Sequence, residues 1–178
     1  NIVSLAEQLY PRLVDIRRHL HKYPELSGLE KNTASYICSV LDEWNIPYRS
    51  GIGGHGVVAL IDGKKPGACI ALRADMDALS IQEQNDCGYK SAVDGIMHAC
   101  GHDAHVASLL GSAFILNSLK NSFHGTFKLI FQPSEEKFPG GAVQMINEGV
   151  LENPNVNAII GQHVLPGLST GSIGLKSG

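Results

Sequence analysis

Two short, nearly unbroken apolar runs, at residues 57–61 and 69–72, decide what this chain can fold into. Each is bounded by Gly, Pro or Asp and is too short for a helix, so both read as strands buried on both faces. Around them the apolar period becomes helical. Leu5, Leu9, Leu13, Ile16 and Leu20 recur at spacings of three and four, which predicts a helix over 3–22. Pro11 predicts a kink or a restart within it, and Pro24 its end. A second helix is expected over 30–44, with Ala34, Ile37, Val40, Leu41 and Trp44 turned inward, stopped by Asn45 and Pro47. Beyond lie an apolar helix at 106–119, a strand at 126–131, a short helix at 141–148 and a third buried strand at 158–160. Residues 172–178 follow what reads as one more strand. Strands alternating with helices imply an α/β domain with a largely parallel sheet between helical layers. At 178 residues the chain suits one domain, which would bury roughly 70% of its unfolded surface.

Against this ordinary core pattern, Met97-His98-Ala99-Cys100-Gly101-His102-Asp103-Ala104-His105 stands apart. It crowds a thiol, three imidazoles and a carboxylate into nine residues. Burying such groups unpaired is unfavourable by several kcal/mol each. A divalent metal offsets that cost, and Cys and His are its preferred soft and borderline ligands. Ligands in α/β sheets gather where strands end, and the other candidate groups fall in such places. Asp75 and Asp77 follow the strand at 69–72, Glu135 and Glu136 follow the strand ending at Phe131, and His163 follows Ile159-Ile160-Gly161. A catalytic metal site needs a few protein ligands, an open position for water, and a nearby carboxylate that moves the proton. Adjacent Glu135 and Glu136 can divide those duties, one binding the metal and the other facing substrate. Taken singly, these residues have plainer readings: His163 as a structural histidine, the glutamate pair as a solvated turn, Asp75 and Asp77 as turn caps. His19 and His21 read as surface or packing residues, and His55 and His124 as loop residues without chemistry. The Cys/His cluster has only one plain reading, a crowded polar loop.

Composition narrows the function. The chain is 43% apolar and 17% charged, with a net charge of −3, and has no Lys/Arg run. That offers no footprint for nucleic acid, and no apolar stretch is long enough to cross a bilayer. No signal peptide is visible. Four cysteines, Cys38, Cys69, Cys87 and Cys100, are irregularly spaced without a CxxC motif. Cys38 and Cys69 read as small buried hydrophobes rather than disulfide partners, which favours a cytoplasmic setting.

The segments DIRRHLHKYPELSGLE, ALRADMDALSIQE, MHACGHDAHVASLLGSA, FQPSEEKFPGGAVQMINEGVL and IIGQHVLPGLSTGSIGLKSG resemble, in order and spacing, the amidohydrolase branch of the metal-dependent aminoacylase/carboxypeptidase family. That branch includes N-acyl-amino-acid amidohydrolases, hippurate hydrolases and auxin-conjugate hydrolases. The resemblance covers essentially the whole chain. It implies a three-layer, zinc-exopeptidase-like α/β catalytic domain interrupted by a smaller lid that commonly mediates homodimerisation. Residues 1–178 would be the N-terminal part of the catalytic domain, with the lid and the C-terminal part absent. By position, the resemblance makes Cys100, His102, Glu136 and His163 ligands of two divalent ions, with Cys100 the bridge. Zn²⁺ or Mn²⁺ is expected, and Co²⁺ or Ni²⁺ would also suit the donors. Glu135 becomes the general acid/base, and Asp103 and His105 orient ligands from behind. A further histidine ligand would come from beyond Gly178. Two departures bear on specificity: Lys137, Phe138 and Pro139 stand where the family usually has glycines, and Ser80 where it has proline.

The leading expectation is therefore hydrolysis of the amide bond of an N-acyl amino acid or dipeptide-like small molecule by metal-activated water, with no nucleic-acid or membrane partner. A dipeptidase or carboxypeptidase of the same fold would share the mechanism and differ in its pocket. A non-catalytic metal-binding domain would have no use for a spare Glu135. A cysteine enzyme would instead attack with the Cys100 thiolate, paired with His98 or His102.

Overall fold

The computed structural model describes residues 1–175. Helix α1 spans Ile2–Lys22 and α2 spans Lys31–Glu43. Then come strands β1 (Tyr48–Ile52), β2 (Gly56–Asp62) and β3 (Cys69–Asp75), helix α3 (His102–Ser118), strand β4 (Thr126–Gln132), helix α4 (Gly141–Asn147) and strand β5 (Val156–Gly161). The sheet order is β1-β2-β4-β3-β5. β1–β2 and β2–β4 are antiparallel, whereas β4–β3 and β3–β5 are parallel. The sheet is thus mixed, and helices flank it as expected of the α/β class.

Alternation along the strands sorts the two faces. Val57, Ala59, Ile61, Leu129 and Phe131 meet Ile16, Leu20, Ile37, Leu41, Val106 and Leu110 of α1, α2 and α3 in the larger core. Val58, Ala71 and Ile130 face the other way, onto Met145 of α4 and Val150 after it. Helix α3 has almost no amphipathic stripe because its neighbours lie on several sides; nine of its residues, His102 through Ala113, are buried.

Four expectations need correction. α1 does not restart at Pro11, which lies on its exposed side, where the freed carbonyl one turn back meets water. α3 begins at His102 rather than near residue 106, because Gly101 takes the left-handed conformation (φ 85°) and turns the polar cluster directly into the first turn. β5 is not buried: Ile159 and Ile160 are 54% and 59% exposed, since the strand pairs with β3 along one edge only. After β5, residues 162–175 form turns and coil rather than a further strand, and 176–178 lie outside the described residues. All four cysteines are free thiols, with Cys69 buried and Cys38 half-buried.

The parallel half of the sheet positions the chemistry. β3, β4 and β5 run the same way, so the residues after each of them emerge at one edge. The start of α3 reaches that edge from the helical layer.

Candidate metal centre

His102 is the hub. Its side chain is 1% exposed, and Nδ1 donates to the main-chain oxygen of Asp77 at 2.8 Å. That bond places the proton on Nδ1 and leaves Nε2 as a bare acceptor, buried without a partner among the described residues. Nε2 lies 3.7 Å from Asp75 Oδ2 and 3.8 Å from Glu136 Oε1. Burial alone would lower the imidazole pKa, but the hydrogen bond to Asp77 and the charges of Asp75 and Asp77 raise it overall. An inward-facing nitrogen held in a negative field is what a cation needs.

Three sets of donor atoms converge here, each lying within 4.8 Å of one another. The first is Cys100, His102 and His163; the second is His102, Glu135 and Glu136; the third is Asp75, His102 and His105. In the first, Cys100 Sγ sits 3.4 Å from His163 Nε2, while His163 Nδ1 donates to the neighbouring Val164 carbonyl at 2.7 Å. Burial pushes the Cys100 thiol up to about 11, and the nearby carboxylates of Glu136, Asp75 and Glu135 push the same way. In the second, both glutamates project from the turn after β4 and are exposed. In the third, His105 and Asp75 are already engaged. His105 Nδ1 is bonded to Asp75 Oδ1 at 2.6 Å, its Nε2 accepts the Val164 N–H at 2.9 Å, and Arg73 covers the other Asp75 oxygen at 2.7 Å. This triad ties α3, β3 and the segment after β5 together beside His163.

The structure thus brings Cys100, His102, Glu135, Glu136 and His163 to one place, with His105 directly behind. Among the described residues, Asp103 makes no hydrogen bond or ion pair to any of them. It is fully buried and turns the other way, to Arg17 Nε (2.9 Å) and His21 Nδ1 (2.7 Å). His21, read from sequence as a surface or packing residue, is 3% exposed and bonds Glu83 through its second nitrogen at 3.1 Å. With a carboxylate on each nitrogen it is an imidazolium: the hydrogen bond it donates to Asp103 raises its pKa first, burial opposes, and the bond to Glu83 adds to the rise. His19 stacks on Tyr36 as a packing residue, with ring centroids 3.8 Å apart. His98 is buried and lowered to about 4, chiefly by desolvation, so it is neutral; it joins none of the three donor sets.

Asp77 and Glu30 are further participants that sequence patterns did not single out for these roles. Burial alone would raise Asp77, but hydrogen bonds from His102, Ser27 and the Glu136 N–H hold it far below the usual carboxylate range. Glu30 accepts from the main-chain N–H of Ser134 at 2.7 Å. The sequence already marked Asp77 as a carboxylate at a strand end, though not its hold on His102 and the Glu136 N–H; nothing local could have flagged Glu30.

Residues 71–178 match peptidase family M20/M25/M40. N-acetyl-L-cysteine deacetylase of Bacillus subtilis is 44% identical over 100% of the chain and 44% of its own length. N-acyl-L-amino acid amidohydrolase of Geobacillus stearothermophilus is 41% identical over 99% of the chain and 47% of its length. The crystal structure of Bacillus subtilis YXEP protein, described as a dinuclear metal binding peptidase, superposes with a TM-score of 0.91 at 44% identity, covering 97% of this chain and 48% of that one. The chain therefore spans less than half the length of each of these relatives.

Proposed function

The chain belongs to peptidase family M20/M25/M40, and from that premise we propose that it carries most of the metal centre of an amidohydrolase. The substrates are N-acyl amino acids or related small conjugates. The observation that carries this reading is the bare His102 Nε2, buried between a thiol–imidazole pair and a pair of carboxylates. Cys100, His102, Glu136 and His163 fit the donor preferences of Zn²⁺ or Mn²⁺, with Co²⁺ or Ni²⁺ as alternatives. Held by these residues, two such ions would supply Lewis-acid polarisation of the scissile carbonyl and a water of lowered pKa.

The chain's own residues supply the rest. Glu135 stands within reach of the same space as His102 and Glu136 but is left out of the ligand set. Its carboxylate takes the proton of the attacking water and passes it to the leaving amine nitrogen. His105 and Asp75 hold the segment that carries His163, and Asp77 fixes the His102 tautomer from behind. Asp103 acts at one remove, by anchoring α1 to the first turn of α3. The cysteine-nucleophile alternative fits poorly: a nucleophilic thiol needs a lowered pKa, and Cys100 is pushed up by burial and by carboxylates that a cation would neutralise.

The amide-hydrolase names of the relatives support the substrate class; the same-fold peptidases remain the nearest alternative. The bond cleaved separates them, so the test is a panel of acetyl-, benzoyl- and indolyl-amino acids beside dipeptides, assayed before and after EDTA. Metal-dependent release from the N-acyl substrates is the expected result. Turnover that survives chelation overturns it. We further propose that these 178 residues are the N-terminal part of the catalytic domain, completed in the whole protein by a further histidine ligand and a lid that can pair two subunits. Among the described residues no helix is long and apolar enough to cross a membrane, and the four free thiols support a cytoplasmic setting.

A further inference from the structure

Glu135 is exposed on a turn, yet a general base works only if its carboxylate stays within hydrogen-bonding reach of one water. Something must hold that turn. Ser134, immediately before it, adopts φ 51°, a left-handed conformation unfavourable for a residue with a side chain. It persists because Ser134 is gripped at three points. Its N–H and Oγ bond to the same oxygen of Glu30, at 2.7 and 3.2 Å, and its carbonyl accepts from Gly141 N at 2.9 Å. On the far side of Glu135, the Glu136 N–H donates to Asp77 Oδ2 at 3.0 Å. The base therefore sits between two peptide N–H groups, each fastened to a buried carboxyl group.

Glu30 has no competing duty. It occupies the N-cap position of α2 but makes no side-chain cap. The free N–H groups at that helix end go to Glu25, which accepts from Asn32 N and Thr33 N. The Glu30 side chain is 0% exposed, and it reaches across 104 residues of sequence to Ser134. Its second oxygen, Oε2, has no hydrogen-bond partner among the described residues. We propose that Glu30 is a positioning residue for the reaction: its one bonded oxygen fixes the Ser134 turn and so aims Glu135. This rests on the assignment of Glu135 as the base.

The test uses full-length protein and three variants. Glu30→Gln keeps an acceptor oxygen, Glu30→Met keeps the shape without the acceptor, and Glu30→Asp withdraws the acceptor by one methylene while staying polar, should the Met variant fail to fold. Each is measured for kcat and KM on an N-acetyl amino acid, for bound metal, and for amide hydrogen exchange in the peptide spanning 132–141. The Met and Asp variants are expected to keep their metal and KM, to lose roughly 10- to 100-fold in kcat, and to exchange faster in that peptide. The Gln variant is expected to stay near wild type in all of these. Wild-type exchange and kcat in the Met or Asp variant, or an equal loss in the Gln variant, overturns the proposal. If the wild type hydrolyses no N-acyl amino acid, the functional reading fails, and the exchange comparison alone still decides whether Glu30 holds the turn.

Discussion

Replacing His21 by Leu tests the buried charge network, because it removes two hydrogen-bond donors while nearly keeping the volume. Asp103 would keep Arg17 and the Ala104 N–H, and Glu83 would keep Ser91 N and Asn85, so each carboxylate loses one charged donor. A hydrogen bond to a charged group is worth about 1.5–3 kcal/mol, and both side chains are fully buried. The expected loss is therefore about 3–6 kcal/mol. The Arg12–Glu43 bridge is the control: at 2.6 Å it is shorter, but its partners are 38% and 51% exposed, so Arg12→Ala should cost under about 1 kcal/mol. The pH dependence follows from the shifts. His21 is raised in the fold, so its contribution is full below its unfolded value of 6.5 and fades as pH rises through the folded one. Glu83 is lowered from 4.5 to about 2, mainly by hydrogen bonds that overcome desolvation, so its contribution holds above 4.5 and fades on acidification. The gap between wild type and His21→Leu in urea unfolding should be widest between these two values. A gap under about 1 kcal/mol there, no larger than that of an exposed pair, would refute the reasoning.

Cys100→Ser should lower bound metal and activity together; full occupancy with full activity would remove Cys100 from the ligand set. Glu135→Gln should keep the metal and lower kcat by roughly 10²–10⁴, and loss of metal instead would exchange the roles of the two glutamates. The 178 residues by themselves should bind metal weakly, show no appreciable amidase activity and associate through the exposed β5 edge. Turnover comparable to the full-length protein would show that they already hold a complete site.

The donor residues were legible because the cluster's five polar groups fall within nine residues, and because strand ends deliver the others. The helices and buried strands were legible where one face repeats at a fixed period. β1 was not: Tyr48-Arg49-Ser50-Gly51-Ile52 has no apolar run, and pairing with β2 makes it a strand. The direction of Asp103 was also hidden, since His102 beside it faces the metal site while its own partner, His21, lies 82 positions away. Glu30 and His21 share that difficulty. A buried charge announces itself only through the partner that the fold brings to it.

The most direct measurement is an anomalous diffraction map from crystals of the full-length protein loaded with Zn²⁺. The account requires a peak about 2.3 Å from Cys100 Sγ, bonded to His102 Nε2 or His163, and a second ion sharing that thiolate, with Glu136 coordinated and Glu135 free. Ions bound elsewhere, with Cys100 and His102 Nε2 both uncoordinated, would contradict it.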